Sequence, residues 1–340
     1  MKIAIILDNN VSKVQTTIFE HLKSRDLNLK VFIGERNKND TSSIILDKIY
    51  LTHREELVNA LSNPFKTINR LLKNRLKKLD YYFFSLKKAL SDYDIVYTQD
   101  VSRSLYTISS LKKFYNYKII LRWWETIPYK WLFNERDTII AKSSLKEVDI
   151  FIPASQKAKK SLLLAGIDES KIVHIYPAVD TQKFKPLSSN SIKDYYLEKF
   201  RIPKDKIIIL FVGRLVSHKS IFTLIWTAKN LEKTLLSKIH FVIVGDGWDK
   251  ELFKKIIKEM DLQKYFTLTG KIPYDEIQYI YQISDIFVLP STLKVDIQEQ
   301  FPYAVLEALS CGKPVIGSDV GGIPEAIGDA GIICPPQGII

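Results

Sequence analysis

Short apolar runs alternate with longer stretches of helical character along the whole chain. In the second half the apolar runs are continuous instead of alternating with polar residues, which is typical of parallel strands covered on both faces. The pattern predicts a doubly wound, Rossmann-like α/β domain. The predicted strands are 207–213, 240–245, 265–270, 285–290 and 314–318, and the predicted helices lie near 219–235, 249–260, 274–283 and 302–311.

The first half repeats this alternation. A polar stretch at 185–194 is the expected linker, and 340 residues favour two domains over one. We therefore predict two Rossmann-like domains, 1–185 and 186–340, that face a central crevice where the strand ends bind ligands. The strands predicted in the first half are 2–8, 29–34, 94–100, 118–124, 149–155 and 171–179.

Charge and cysteine content narrow the range of possible partners and protein classes. The net charge of +12 favours an anionic partner, such as a phosphorylated small molecule, an acidic membrane face or nucleic acid. The two cysteines, Cys311 and Cys334, give no disulfide framework and no metal-ligand cluster. The longest apolar run, 207–212, is too short to cross a membrane, and the N-terminus is a first strand instead of a secretion signal. A cytoplasmic location is expected.

Two motifs follow predicted strands of the second half. In VGRLVSHKS, Gly213 allows a sharp turn, and Arg214 and Lys219 stand near the start of a helix. Two cations beside helix amides suit a phosphate or diphosphate, although an ordinary surface loop could also carry them. In VGDG, Gly245 and Gly247 would let a base or ribose approach the backbone, but any tight turn would have the same sequence.

The segment EQFPYAVLE has a glutamate at each end of a mostly apolar run. Glu299 should precede a helix and Glu307 should lie one to two turns inside it, at most about 12 Å away. Carboxylates accept hydrogen bonds from hydroxyl-rich ligands. If the two glutamates bound the sugar and the ribose of a nucleotide sugar, the amides of Phe301, Tyr303 and Ala304 would face the diphosphate between them. Alternatively, Glu299 favours the helix dipole and Glu307 is solvated.

The order and spacing of these motifs resemble glycosyltransferase family 4, the retaining nucleotide-sugar transferases with the two-domain GT-B fold. The strongest match is E-x7-E with its tail, EQFPYAVLEALSCGKPVIGSDVGGIPE. The segments DIFVLPS, DIFIPASQKAKKSL and IYPAVDTQKFKP also match, so the resemblance extends over roughly residues 94–336.

The resemblance implies a role for each residue. Arg214 and Lys219 would stabilise the departing nucleotide diphosphate, Glu299 would hold the transferred hexose and Glu307 would hold the ribose. It further implies transfer to a carbohydrate or lipid-linked acceptor with retention of the anomeric configuration, no cofactor and no metal ion. Fixed cations and amides suit a reaction that builds negative charge on its leaving group.

The chain departs from the family in the first half. The glycine pair that many members have after the first strand is missing, and residue 9 is Asn9. A histidine expected after a central strand is replaced by Trp123, Trp124 and Glu125. The tryptophans could stack on a sugar or pack between domains, and Glu125 could contact the acceptor or begin a helix. An inverting enzyme would need a base, for which Glu125 and Asp8 are the candidates. The last helices of the fold are also expected to be missing.

The stretch 64–90 combines apolar residues spaced by three or four with eight basic residues and one acid. It predicts an amphipathic helix or helical pair. Its cationic face could bind an acidic membrane surface, which would place the protein at the inner face of the membrane, or could simply be solvated. Two other functions stay open: a nucleotide-sugar epimerase on the same fold and a basic nucleic-acid-binding protein. Strand-end motifs argue against the latter, so no nucleic-acid partner is expected.

Overall fold

A computed structural model describes residues 1–7, 19–20, 22, 27–34, 46–51, 86–87, 89–187, 189–294 and 297–336. The chain divides into two compact units, Met1–Tyr176 and Pro177–Ile340. The sequence placed the division at 185/186, nine residues later. Asp8, Asn9 and most of the basic stretch 64–90 lie outside the described residues.

The first unit contains a sheet of six parallel strands in the order β3-β2-β1-β4-β5-β6. This is the order of a Rossmann-type sheet, whose direction of winding reverses between β1 and β4. Its strands are β1 (Lys2–Leu7), β2 (Asn28–Gly34), β3 (Asp47–Leu51), β4 (Ile95–Gln99), β5 (Lys118–Trp123) and β6 (Ile150–Pro153). Its described helices include α1 (Arg103–Leu111), α2 (Glu135–Ser144) and α3 (Gln156–Leu164).

The central strand β1 shows why this sheet is covered on both faces. Ala4 and Ile6 belong to one buried apolar cluster, whereas Ile5 and Leu7 belong to another. Successive side chains of a strand point to opposite faces, so a continuous apolar run fills two cores at once. Serine side chains accept the free first-turn amides at both α1 and α3: Ser102 from Leu105 N and Ser155 from Ala158 N. The predicted doubly wound class is confirmed.

The second unit repeats the architecture, with a parallel sheet in the order β12-β11-β10-β7-β8-β9. The winding of this sheet reverses between β7 and β10. Its strands are β7 (Ile207–Val212), β8 (Ile239–Val244), β9 (Phe266–Gly270), β10 (Ile286–Leu289), β11 (Val315–Ser318) and β12 (Gly331–Cys334). Its described helices are α4 (Asn190–Lys199), α5 (Phe222–Asn230), α6 (Lys233–Leu236), α7 (Lys250–Glu259), α8 (Ile277–Ile283), α9 (Tyr303–Ser310) and α10 (Ile323–Ile327).

Several sequence predictions are wrong in detail. The stretch 171–179 is not a strand: it makes one isolated bridge, Phe151 to Ile172, and then continues as irregular chain. The edge strands β3 and β12 were missed. The proposed linker 185–194 is partly helical, since α4 begins at Asn190. The predicted helix 219–235 is a 3-10 turn, Ser217–Lys219, followed by the separate helices α5 and α6.

Among the described residues, no helix is both long enough and apolar enough to cross a membrane.

Candidate functional site

The loops after β7 and β10 meet beside the point where the second sheet reverses its winding. Ligands of open α/β sheets bind at such points, outside the carboxyl ends of the strands. The backbone N–H of Thr292 donates to the carbonyl of His218 at 2.9 Å, and Lys294 Nζ donates to Ser217 Oγ at 2.6 Å. These contacts hold the two loops together although they are more than 70 residues apart in the sequence.

Lys219 and Glu299 form an ion pair where these loops join. Lys219 Nζ donates to Glu299 Oε2, and Ser291 Oγ donates to the same oxygen at 3.3 Å. The side chains of Lys219 and Glu299 are only 13% and 11% exposed, so the pair is shielded from water while one edge stays accessible. The structure therefore brings together the cation and the carboxylate that the sequence singled out separately.

The Gly321–Gly322 turn fixes the backbone of Glu299. Gly322 N donates to the carbonyl of Glu299 at 2.8 Å. Gly321 has a φ of +56°, and a Cβ at this position would lie 1.8 Å from the same carbonyl oxygen. Only glycine tolerates both the left-handed backbone and this close approach. The turn thus has a definite function: it supports the loop that carries Glu299.

Arg214 is exposed, in contrast to Lys219, and it lies on the same loop. The half-buried His218 lies between them in the sequence. Burial first, and then the positive charge of Lys219, lowers the pKa of His218, with further lowering from Arg214 and Lys294. The imidazole is therefore mainly neutral at pH 7, and the cations of this loop are Arg214 and Lys219.

Gly245 and Gly247 serve the packing of neighbouring loops. A Cβ on Gly245 would lie 1.9 Å from the carbonyl oxygen of Gly213, and one on Gly247 would lie 2.2 Å from that of Leu215. Leu215 N also donates to the carbonyl of Asp246 at 2.9 Å. Loop packing is thus one reason for both glycines, and the interpretation in which they admit a base or ribose stays a prediction.

Glu307 lies inside α9, as predicted, whereas Glu299 lies in the loop before it. Phe301 is buried, and the half-buried Tyr303 and Ala304 form the first turn of this helix. Gly312, with a φ of +70°, follows its last turn, as expected.

Glu307 is not the solvated helical residue that one reading proposed. It is 6% exposed, and Tyr281 OH donates to its Oε2 at 2.6 Å. Burial raises the pKa of Glu307 to about 7, while the Tyr281 hydrogen bond and the positive charge of Lys183 act in the opposite direction. Keeping a carboxylate in such surroundings costs free energy, and its perturbed pKa makes Glu307 a candidate functional residue.

The raised pKa of Glu307 predicts how folding stability depends on pH. Because the unfolded chain releases this proton near pH 4.5 and the folded chain near 7, stability is lost as pH rises through that window. Glu307→Gln removes the loss, so its free energy of unfolding relative to the parent should rise by about 3 kcal/mol between acid and alkaline ends of the window. Urea unfolding of both proteins across this range measures it.

The matched control is Glu251→Gln, which alters a carboxylate whose side chain is 79% exposed. Its stability relative to the parent should change little with pH. A constant difference between Glu307→Gln and the parent across the window would contradict a buried, weakly ionised Glu307.

In the first unit, the residues expected near the acceptor lie in two environments: Trp123 in one, and Trp124 and Glu125 in the other. Trp123 is 1% exposed, and its Nε1 donates to Ser161 Oγ at 3.0 Å. Its ring packs edge-to-face on Trp131, 5.8 Å away, within the hydrophobic core. Trp123 is thus a core residue, and the prediction that it stacks on a sugar is wrong because no face of the ring is open.

Trp124 and Glu125 lie at the carboxyl end of β5, next to that of β4. The indole of Trp124 is largely buried and donates to Gln99 Oε1 at 3.1 Å, with the Arg122 guanidinium 4.8 Å from the ring. Glu125 accepts a hydrogen bond from Ile127 N at 3.0 Å and pairs with Lys130 Nζ at 2.9 Å. It begins no helix, contrary to one reading.

Asp100 joins this cluster and was missed by sequence reasoning. Its Oδ1 accepts a hydrogen bond from Trp124 N at 3.0 Å, and its φ is +49°, a left-handed backbone that non-glycine residues adopt rarely. Burial raises the pKa of Asp100 to about 7, and the negative charge of Glu125 adds to the increase. The available signal was an aspartate directly after a predicted strand, at the edge of the sheet where ligands bind.

The part of the chain that the structure describes contains no group of three or more His, Cys, Asp or Glu side chains placed to hold a metal ion.

Models of known families match both halves of the chain. The family described as Glycosyl transferases group 1 matches residues 193–339, and Glycosyltransferase Family 4 matches residues 16–183. The GPI3 subunit of the Saccharomyces cerevisiae phosphatidylinositol N-acetylglucosaminyltransferase is 27% identical over 187 residues, or 54% of this chain and 38% of that protein. O-antigen chain mannosyltransferase B of Escherichia coli is 28% identical over 131 residues, or 38% of this chain and 33% of that protein. The chain thus spans less than half the length of these relatives.

Solved structures share the fold. The Anabaena protein HepE, crystallised with UDP-glucose, superposes with a TM-score of 0.77 at 17% identity, over 99% of this chain and 86% of that one. WaaG, a glycosyltransferase involved in lipopolysaccharide biosynthesis, superposes with a TM-score of 0.69 at 13% identity, over 98% and 86% of the two chains. Two Rossmann-type units, the motifs at their strand ends and the two family matches agree: the chain belongs to glycosyltransferase family 4.

Proposed function

We propose that this protein transfers a hexose from a nucleotide-diphosphate sugar to an acceptor hydroxyl, with retention of the anomeric configuration. The observation that supports this best is the shielded Lys219–Glu299 pair at the point where the second sheet reverses its winding. A cation suits the diphosphate of the donor, and a carboxylate suits the hydroxyls of its sugar.

The residues divide the work by their chemistry. Lys219 and the exposed Arg214 neutralise the diphosphate as the sugar–phosphate bond breaks and negative charge builds on the leaving group. Glu299 holds the sugar, Glu307 holds the ribose, and the first amides of α9 (Tyr303–Ser310) approach the diphosphate. Fixed cations do here what a metal ion does in other transferases, so activity should not need one.

The acceptor site is proposed for the first unit, at the adjacent ends of β4 and β5. Asp100, Trp124 and Glu125 offer hydrogen-bond acceptors and an aromatic edge there. HepE was crystallised with UDP-glucose, which supports a nucleotide sugar as donor. Two relatives of this chain are named for phosphatidylinositol and for the O-antigen chain, which supports a lipid-linked or carbohydrate hydroxyl as acceptor. Attachment to the inner face of a membrane through 64–90 stays a prediction.

A panel of nucleotide sugars, tested first by thermal shift and then by turnover, examines this function. A ligand at about 100 times its Kd adds about 2.7 kcal/mol of stability, which such an assay resolves readily. We expect one nucleotide sugar to stabilise the protein and an oligonucleotide of equal charge to have no such effect. Stabilisation by the oligonucleotide alone would favour a nucleic-acid-binding protein.

The reaction itself separates the remaining alternatives. A transferase releases nucleotide diphosphate in step with added acceptor, whereas an epimerase converts its donor without one. Activity should survive a chelator, and the product anomer, read by NMR, should match that of the donor. An inverted linkage together with an essential Glu125 would refute the retaining assignment.

A further inference from the structure

Tyr281 and Glu307 form a buried contact that neither the motifs nor the family matches assign to any task. Tyr281 lies on α8 (Ile277–Ile283) and Glu307 on α9 (Tyr303–Ser310). The tyrosine hydroxyl donates to Glu307 Oε2 at 2.6 Å. A charge-assisted bond of this length is among the stronger hydrogen bonds in proteins.

The ring of Tyr281 is held so that its hydroxyl has one position. Its side chain is fully buried, with the ring of Phe184 at 5.9 Å and that of Phe287 at 5.8 Å. Both neighbours are themselves fully buried. Interiors packed to this density permit little side-chain movement, so the hydroxyl fixes the orientation of the carboxylate that it contacts.

Tyr281 engages one of the two oxygens of Glu307, Oε2, and the residue as a whole is 6% exposed. Each carboxylate oxygen can accept two hydrogen bonds, so Oε1 can accept from a ligand while Oε2 stays bound to Tyr281. A pair of ribose hydroxyls is a ligand that would donate to it.

We propose that Tyr281 is a positioning residue of the nucleotide site: by holding Oε2 of Glu307 it presents Oε1, as a carboxylate oxygen, to the ribose of the donor. This inference rests on the proposed function and adds to it a residue that contacts no substrate. Tyrosine suits the task because its hydroxyl is carried on a rigid ring, unlike a serine or a water molecule.

The contact also governs the charge of Glu307. The Tyr281 hydrogen bond lowers the pKa of this carboxyl against the effect of burial. The other titratable groups that act on it are Lys183, Tyr274 and Cys311, and burial raises the pKa of both Tyr274 and Cys311, the latter to about 12. Tyr274 and Cys311 therefore stay neutral between about pH 6 and 8.5, whereas Glu307 titrates within this range.

Tyr281→Phe removes the hydroxyl and keeps the ring. Binding of UDP-glucose, GDP-mannose and ADP-glucose, measured by calorimetry between about pH 6 and 8.5, is the readout, because the diphosphate of a nucleotide sugar has no titrating oxygen. For the parent, affinity for the preferred donor should rise with pH around 7. In Tyr281→Phe, affinity at pH 7 should fall about tenfold, and the midpoint of the pH dependence should move to higher pH.

The control is Tyr279→Phe in the same helix, whose ring stacks on Tyr196 at 4.7 Å. It should leave both affinity and midpoint unchanged. In a Glu307→Gln background the pH dependence should be absent, and adding Tyr281→Phe should cause no further loss of affinity, since the carboxylate that it positions is gone. Urea unfolding of Tyr281→Phe shows that the fold is retained, and an equal loss of affinity in both backgrounds would contradict the proposal.

Three results would overturn the proposal. Parent-like affinity and midpoint in Tyr281→Phe would show that the hydroxyl does nothing for the nucleotide. Lower affinity with an unchanged midpoint of the pH dependence would show that Tyr281 only contributes to packing. If the parent itself binds none of the nucleotide sugars, the proposed function fails first; if the parent binds and the variant gives either of the first two results, the function stands and this inference falls.

Discussion

Replacing Lys219 with alanine is expected to lower the rate of transfer by about 10²–10³-fold at saturating donor. Lys219 is the shielded cation of the candidate site, and its ammonium would face the charge that develops on the leaving diphosphate. A preorganised cation away from bulk water stabilises that charge far more than a solvated one does. Initial rates under saturating donor and acceptor measure the effect.

Two controls accompany Lys219→Ala. Lys254→Ala removes a half-exposed lysine of α7 (Lys250–Glu259) that pairs with its helical neighbour Glu251, and it should leave the rate unchanged. Since Lys219→Ala also leaves Glu299 without its cation, urea unfolding must show that the fold is retained. A folded Lys219→Ala protein with a parent-like rate would exclude Lys219 as the group that stabilises the leaving nucleotide.

The second large effect is expected for Glu299→Gln. The substitution keeps the shape of the side chain and removes its charge, so transfer should fall by about two orders of magnitude or more. Binding of the free nucleotide diphosphate should be almost unchanged, because the proposed partner of Glu299 is the sugar. Glu307→Gln, by contrast, should weaken binding of the free nucleotide, because its proposed partner is the ribose.

This division of labour is checked by calorimetry with nucleotide diphosphate and by initial rates with the nucleotide sugar, on both variants in parallel. Equal losses of nucleotide affinity in Glu299→Gln and Glu307→Gln would exclude it. Lys219→Ala combined with Glu299→Gln gives a double-mutant cycle, in which a large coupling energy would reflect the ion pair that the structure shows.

Local pattern was sufficient for the elements closest to the candidate site. Continuous apolar runs predicted β7, β8, β10 and β11 to within a residue or two. A strand buried on both faces is apolar at nearly every position, so the run itself marks the ends of the strand. Proline followed by an apolar run placed α9, and with it one glutamate before the helix and one inside. Those positions depend only on residues close together in the sequence.

The same local rules failed where contacts with distant segments of the chain decide the conformation or the burial of a residue. The run 171–179 is as apolar as a strand, but it lies beyond the last strand of its sheet and makes one bridge. Trp123 and Trp124 are adjacent in sequence, yet one enters the core and the other lies at the end of β5. Alternation along a strand sends consecutive side chains to opposite faces, so only the register with neighbouring strands assigns their surroundings.

Periodicity and motif spacing are local properties, so they were sufficient to identify the two α/β halves, the family and the residues with suitable chemistry. Which of these residues meet depends on how distant segments pack. The parallel order β7–β10 brings Lys219 to Glu299 across 80 positions, and packing of α8 against α9 places the Tyr281 hydroxyl on Glu307. The position of Asp100 beside Trp124 and Glu125 likewise follows from the pairing of β4 with β5. Such contacts arise from strand order and burial, which no single segment encodes.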